Sequence, residues 1–237
     1  MKLFSDEYCL ICHGIRTPVI SWTSLLLGTE EQLVCEECQN KFKSLSGERC
    51  GICSRVLEVD YRKEELCYDC IRWGQDSTWS GTLTQNKSLY EYNDFLKEVI
   101  AKYKYRGDYT LVRAFTSRIK EELTSLSFDA LTPIPLSQER LYERGFNQAE
   151  ALITEAGFRP THLLTRIHTE KQSKKSRSDR IHLPQVFQVD GESAFSLEEK
   201  TILLVDDIYT TGSTLRHAAK VLLEHGAKSV SSFTLAR

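Results

Sequence analysis

Apolar runs and helical patterns alternate along the second two-thirds of the chain, and that alternation predicts an α/β layered fold. Residues 89–92 read as a short strand, and Asn93 or Asp94 is placed to cap a helix running to about residue 102. Leu111, Val112, Phe115 and Ile119 fall on one face of a helix predicted over 109–126. Residues 130–135 read as a buried strand ending at Pro133 and Pro135, followed by helices over 137–143 and 147–156. The apolar run 201–205 is the strongest strand and 213–225 the strongest helix, with Gly226 where a helix C-cap favours glycine. Residues 229–235 close the pattern as a last strand.

The first 75 residues show no such period. They hold short turns and all eight cysteines of the chain, while composition shifts near residues 75–85. The chain therefore divides into a module over 1–75 and a domain over 85–237. The polar stretch 77–87, with Gly81 and Asn86, is expected as the linker or the approach to a first strand.

The cysteines occur as four C-x-x-C pairs: Cys9/Cys12, Cys35/Cys38, Cys50/Cys53 and Cys67/Cys70. In a reducing compartment such pairs hold metal more often than they form disulfides. One pair presents two sulfurs to one zinc ion, two pairs complete a tetrahedral four-thiolate site, and four pairs imply two zinc ions. Four thiolates leave no open position, so the role is structural, and metal supplies folding energy of about 10–16 kcal/mol per site in small peptides. Sequential pairing is preferred, with an interleaved cross-brace left open by the spacing.

Residues 202–214 carry the second chemistry. Ile202–Val205 delivers the chain to Asp206 and Asp207, then to Thr210, Thr211, Gly212, Ser213 and Thr214 at the start of a helix. Unpaired N–H groups and the positive dipole end of a helix attract a phosphate. The hydroxyls add donors, and Gly212 permits close approach of the backbone. Carboxylates at the C-terminal end of a parallel strand are placed to accept hydrogen bonds from ribose hydroxyls or to meet hydrated magnesium. This segment resembles the signature of type I phosphoribosyltransferases, which bind phosphoribosyl pyrophosphate (PRPP). The resemblance implies that Asp206 and Asp207 contact ribose hydroxyls and that residues 210–214 hold the 5′-phosphate.

Two more segments narrow the resemblance. Pro133-Ile134-Pro135 leads into residues 138–149, which include Arg140 and Arg144-Gly145-Phe146-Asn147-Gln148. Lys102-Tyr103-Lys104-Tyr105-Arg106-Gly107-Asp108 stands upstream. With the paired cysteines, these look like the ComF family of the ComFC type over essentially the whole chain. That family implies a double zinc ribbon followed by a type I phosphoribosyltransferase-like domain, and a role in natural transformation. Single-stranded DNA and a ComFA-type helicase/translocase are the partners it implies, with PRPP or a nucleotide-like ligand, and magnesium with it, at the loop. Arg140 and Arg144 are then expected on the pyrophosphate side, with Asn147 and Gln148 supplying hydrogen bonds. A true phosphoribosyltransferase acting on an unidentified acceptor is the enzymatic alternative; no residue stands out as its general base. The family often has Asn where this chain has His182.

Charge adds a direction. Residues 1–75 carry 9 Lys and Arg against 12 Asp and Glu, a poor match to nucleic acid. Residues 101–180 carry 15 against 10. Lys104, Arg106, Arg144, Lys174, Lys175, Arg177 and Arg180, interleaved with Tyr103, Tyr105 and Phe146, are the expected DNA-binding cations. The basic stretch 166–180 has no apolar period and reads as a mobile lid. The N-terminus lacks the apolar core of a signal peptide and no run reaches membrane-spanning length. The expectation is a cytoplasmic protein without membrane insertion, reaching the inner face of the membrane only through partners.

Overall fold

A computed structural model of the chain describes residues 7–16, 32–105, 107–167 and 186–237. The N-terminal module begins with a small antiparallel ribbon, β1 (Glu7–Tyr8) and β2 (Ile15–Arg16), followed by helix α1 (Glu36–Lys41). A second antiparallel ribbon, β3 (Arg62–Lys63) and β4 (Leu66–Cys67), leads into α2 (Tyr68–Gln75).

The remainder is built on β5 (Asn86–Tyr90), α3 (Asp94–Tyr105), a 3-10 helix (Tyr109–Phe115), α4 (Thr116–Ser125) and β6 (Ala130–Pro133). Then follow α5 (Gln138–Arg144), α6 (Gln148–Glu155), β7 (Leu164–Arg166), β8 (Phe187–Val189), β9 (Thr201–Ile208), α7 (Ser213–Glu224) and β10 (Ser229–Ala236). Strands β5, β10, β9 and β6 form, in that order, a fully parallel sheet. Strands β7 and β8 form a separate antiparallel ribbon. This is the α/β fold of the type I phosphoribosyltransferases, preceded by the cysteine-rich module.

The apolar run in β9 is what a strand buried on both faces requires. Its side chains alternate. Leu203 and Val205 enter a core with Val99, Phe115, Ile119 and Leu152, while Ile202 and Leu204 enter the opposite core with Leu215, Leu222 and Phe187. The cysteines are shared out in the same way. Cys9 and Cys38 join the first core, and Cys50, Cys53, Cys67 and Cys70 join the second.

Several boundaries differ from the expected ones. β5 starts at Asn86 rather than at residue 89 because its polar residues satisfy one another inside the fold. Asn86 and Ser232 are 2.8 Å apart, Asn86 donates to Ser88 at 2.7 Å, and Ser88 meets Thr234 at 2.7 Å. The helix over 109–126 is a 3-10 turn passing into α4 at Thr116. The stretch 77–87 is more than a linker, since Trp79 and Leu83 are buried and the Thr84 N–H donates to the Val230 carbonyl at 2.9 Å.

Phe42 joins the module to the sheet. Its ring lies 5.4 Å from Tyr90, 5.1 Å from Phe95 and 5.2 Å from Phe115. Phe42→Ala should therefore destabilise the protein by about 3 kcal/mol in urea denaturation. A loss below about 1 kcal/mol would show that the module rests on the sheet without sharing its core.

Candidate functional site

Asp206 and Asp207 stand near the C-terminal end of β9, where it is still paired with β10, and residues 209–212 turn the chain into α7. Gly212 holds the N-cap position with φ 77°, and no side chain caps the helix. A Cβ there would overlap Tyr209 Oη and Arg216 Nη1, two groups already bonded to each other at 2.6 Å. Thr210 and Thr214 are exposed, Ser213 is half-buried, and the Thr211 hydroxyl accepts from the Ser213 N–H at 3.3 Å. Beyond the Ser213 N–H, which Thr211 takes, the first turn of α7 is ringed by hydroxyls, the arrangement that suits an anion.

The two acids are in different electrostatic states. Asp207 is paired with Lys104 at the end of α3. Asp206 is half-buried beside it; burial, then the charge of Asp207, push its carboxyl up to about 7. The Asp207 N–H donates to Asp206 Oδ1 at 2.9 Å. Arg166, at the end of β7, interacts electrostatically with both Asp206 and Arg140. Its guanidinium is held below its ordinary range by burial and then by the like charge of Arg140, although Asp206 acts in the opposite sense. The structure thus adds Arg166 to the site, at the end of β7 within electrostatic reach of Asp206.

The other expected residues separate. Arg140 is exposed on α5. Arg144 donates to Gln148 Oε1 at 2.8 Å, and its guanidinium lies 5.8 Å from the centre of the Tyr105 ring. Asn147 is committed to the backbone: its carbonyl accepts from the Ala149 and Glu150 N–H groups, and its amide donates to the Ile134 carbonyl at 3.0 Å. It caps α6 and fixes the turn after β6. Gln148 is buried. Of the expected DNA-binding cations, Lys104 turns inward to Asp207 rather than outward. Arg106, Lys174, Lys175, Arg177 and Arg180, and with them His182, lie outside the described residues.

The cysteines assemble sequentially into two groups, Cys9/Cys12/Cys35/Cys38 and Cys50/Cys53/Cys67/Cys70, each with its sulfurs within 4.8 Å of one another. Four sulfurs about 2.3 Å from a tetrahedral zinc would stand about 3.8 Å apart. Cys12 and Cys35 are 3.7 Å apart, and Cys53 and Cys67 are 3.6 Å apart. Backbone N–H groups point at the sulfurs, from Cys35 to Cys9 at 3.3 Å and from Cys67 to Cys50 at 3.4 Å. Both donor sets therefore fit a structural metal ion.

Three residues without any motif link the second group to the loop. Trp73 Nε1 donates to the Thr211 carbonyl at 3.0 Å, and Arg216 stacks on its ring at 4.7 Å. Arg237 Nη1 donates to the carbonyls of Tyr209 (3.2 Å) and Thr210 (2.6 Å), while its Nη2 approaches Cys53 Sγ at 3.2 Å.

The family described as "Phosphoribosyl transferase domain" matches residues 143–237. The chain is 42% identical over 234 residues to "Competence protein ComFC" of Bacillus subtilis (strain 168), covering 97% of this chain and 94% of that protein. It is 34% identical over 230 residues to "Competence protein ComFC" of Streptococcus pneumoniae (strain ATCC BAA-255 / R6), covering 97% and 99%. "DNA utilization protein YhgH" of Escherichia coli (strain K12) is 26% identical over 210 residues, covering 79% and 89%. Among the described residues, no helix is long and apolar enough to cross a membrane.

Two outcomes follow from the geometry. Gly212→Ala should cost about 2 kcal/mol or more in denaturant unfolding, since both the positive φ and the Tyr209–Arg216 pair oppose a Cβ. A neutral effect would contradict the packing described. The raised carboxyl of Asp206 makes its neutral form the stabilising one. That contribution is full below about pH 4 and is lost as pH rises through about 7. Asp206→Asn should then melt about 2–4 °C above the parent at pH 8, with a smaller gap at pH 5. A gap independent of pH would contradict the titration.

Proposed function

The chain belongs to the ComFC family of competence proteins, and on that basis we propose that it serves DNA uptake in natural transformation, binding single-stranded DNA and holding PRPP or a related phosphate ligand after β9. The observation that carries the ligand reading is that two adjacent carboxylates at the C-terminal end of β9 are separated by four residues from a helix N-terminus whose N-cap is a glycine. Residues 210–214 take the 5′-phosphate through N–H and hydroxyl donors. Asp206 and Asp207 take ribose hydroxyls or the water shell of a magnesium ion; when such a ligand arrives, Asp206 gives up its proton and Lys104 is displaced from Asp207. Arg140 and Arg166 face the pyrophosphate side, while Asn147 and Gln148 support the wall rather than the ligand.

In this reading residues 1–75 are a double zinc ribbon with two zinc ions, each held by four cysteines, and residues 85–237 are the ligand-binding domain. Single-stranded DNA follows the basic side of that domain. Tyr142 (92% exposed) and Tyr105 (74% exposed) offer stacking faces beside Arg140 and Arg144. Arg106, Lys174, Lys175, Arg177 and Arg180 supply further phosphate contacts. The acidic ribbon surface suits a protein partner, a ComFA-type translocase at the cytoplasmic face of the membrane. A loop that fits a ribose 5′-phosphate also fits the 5′ end of a DNA strand.

Titrating PRPP against a 5′-phosphorylated oligonucleotide, with magnesium and at several salt concentrations, tests this reading. Competition is expected, along with an affinity for DNA that falls steeply with salt. Joint substitution Asp206→Asn with Asp207→Asn should weaken PRPP by roughly 100-fold, about two charge-assisted hydrogen bonds. Independent saturable binding of both ligands would contradict the shared site. Release of pyrophosphate from PRPP that depends on both acids would instead identify a transferase.

A further inference from the structure

We infer that Arg237 and Trp73 are positioning residues for the phosphate loop, fastening its backbone to the second cysteine group so that metal there and an anion at the loop favour each other's binding. The inference rests on the phosphate-site reading above and adds to it a link that neither motif contains.

Three successive carbonyls, those of Tyr209, Thr210 and Thr211, are each held from the module side: the first two by Arg237 and the third by Trp73. A trans peptide is planar, with its C=O and N–H pointing in opposite directions. Holding these carbonyls therefore aims the N–H groups of Thr210, Thr211 and Gly212 away from the cysteines. A series of N–H groups fixed in this way is a preorganised anion site. If the carbonyls were released, the peptides could rotate, and binding would carry the cost of ordering them again.

Both fasteners take their own position from the cysteines. Arg237 Nη2 reaches Cys53 Sγ at 3.2 Å, its guanidinium lies 4.7 Å from the Tyr209 ring centre, and Cys53 is fully buried. Trp73 stands on α2, one turn beyond Cys70, so the direction of its indole follows from how Cys67 and Cys70 are held. Arg216, itself buried, lies against the other side of that indole and binds Tyr209 Oη, which closes the ring of contacts. Hydrogen bonds to metal-bound ligands shift metal affinity by about 10–100-fold. Any such effect between two sites must act equally in both directions.

The test uses the full chain loaded with cadmium-113, whose two four-thiolate sites give two resonances. One of them should move when magnesium and PRPP are added, and the same one should differ in ligand-free Arg237→Gln. An unchanged second resonance confirms that the variant is folded. Calorimetry should show PRPP binding weakened about 10-fold in Arg237→Gln, less in Arg237→Lys, and measurably in Trp73→Phe, which keeps the ring but removes the donor. If calorimetry detects PRPP binding while neither resonance moves and the variants bind as the parent does, the link is overturned and the phosphate site stands. If PRPP produces no heat and no shift in the parent protein, the phosphate-site reading falls, and this inference falls with it. Should Arg237→Gln not fold, Trp73→Phe decides by the same two readouts.

Discussion

A loop can hold an anion tightly only if its peptide N–H groups are aimed before the anion arrives. Everything else in this chain can be arranged around that constraint. β9 brings the loop to the edge of the sheet as an apolar strand buried on both faces, so the loop's first residues are fixed by the core. Gly212 at φ 77° turns the backbone into α7 without a side chain in the way. On the outer side of the turn, the carbonyls are taken up by Trp73 and Arg237. The acids then sit at the mouth of the loop, one matched by Lys104 and one buried enough to keep its proton near neutral pH.

That view changes the meaning of the cysteine-rich module. Two four-cysteine groups could be a detached appendage, yet each group lies in a different core, on opposite faces of the one sheet. The first reaches the sheet through Phe42 and its aromatic neighbours. The second reaches it through Trp73, Trp79 and the backbone contact of Asn86 with Ile52 at 2.6 Å. A metal that organises such a module also organises what leans on it.

Much of this was legible in the residues, and the part that was not has a common cause. The strand at 201–205, the helix after it and the pairing of cysteines as C-x-x-C follow from periodicity and spacing, which are local signals, whereas the choice of which pairs share a group comes from the fold. An Asn beside a basic pair reads as a ligand contact; what periodicity does not show is that at a helix start its short side chain also caps the backbone. Lys104 looked like a surface cation, and only the packing of α3 against β9's end turns it toward Asp207. The polar opening of β5 was invisible to hydrophobicity because its hydroxyl and amide groups pair across strands. Trp73 and Arg237 meet partners 138 and 184 residues away in the chain. No pattern along the sequence encodes such contacts; the crossovers of the parallel sheet create them.

The central claim is that the loop after β9 receives a ribose-linked phosphate on N–H groups already in place. Amide nitrogen–proton correlation spectra of the metal-loaded chain, recorded while magnesium and PRPP are added, test it most directly. The amide protons of Thr210, Thr211 and Gly212 should shift downfield together, with the largest changes in the protein. Changes confined to the basic surface around Arg140 and Arg144, with those three amides unmoved, would overturn the phosphate-loop reading.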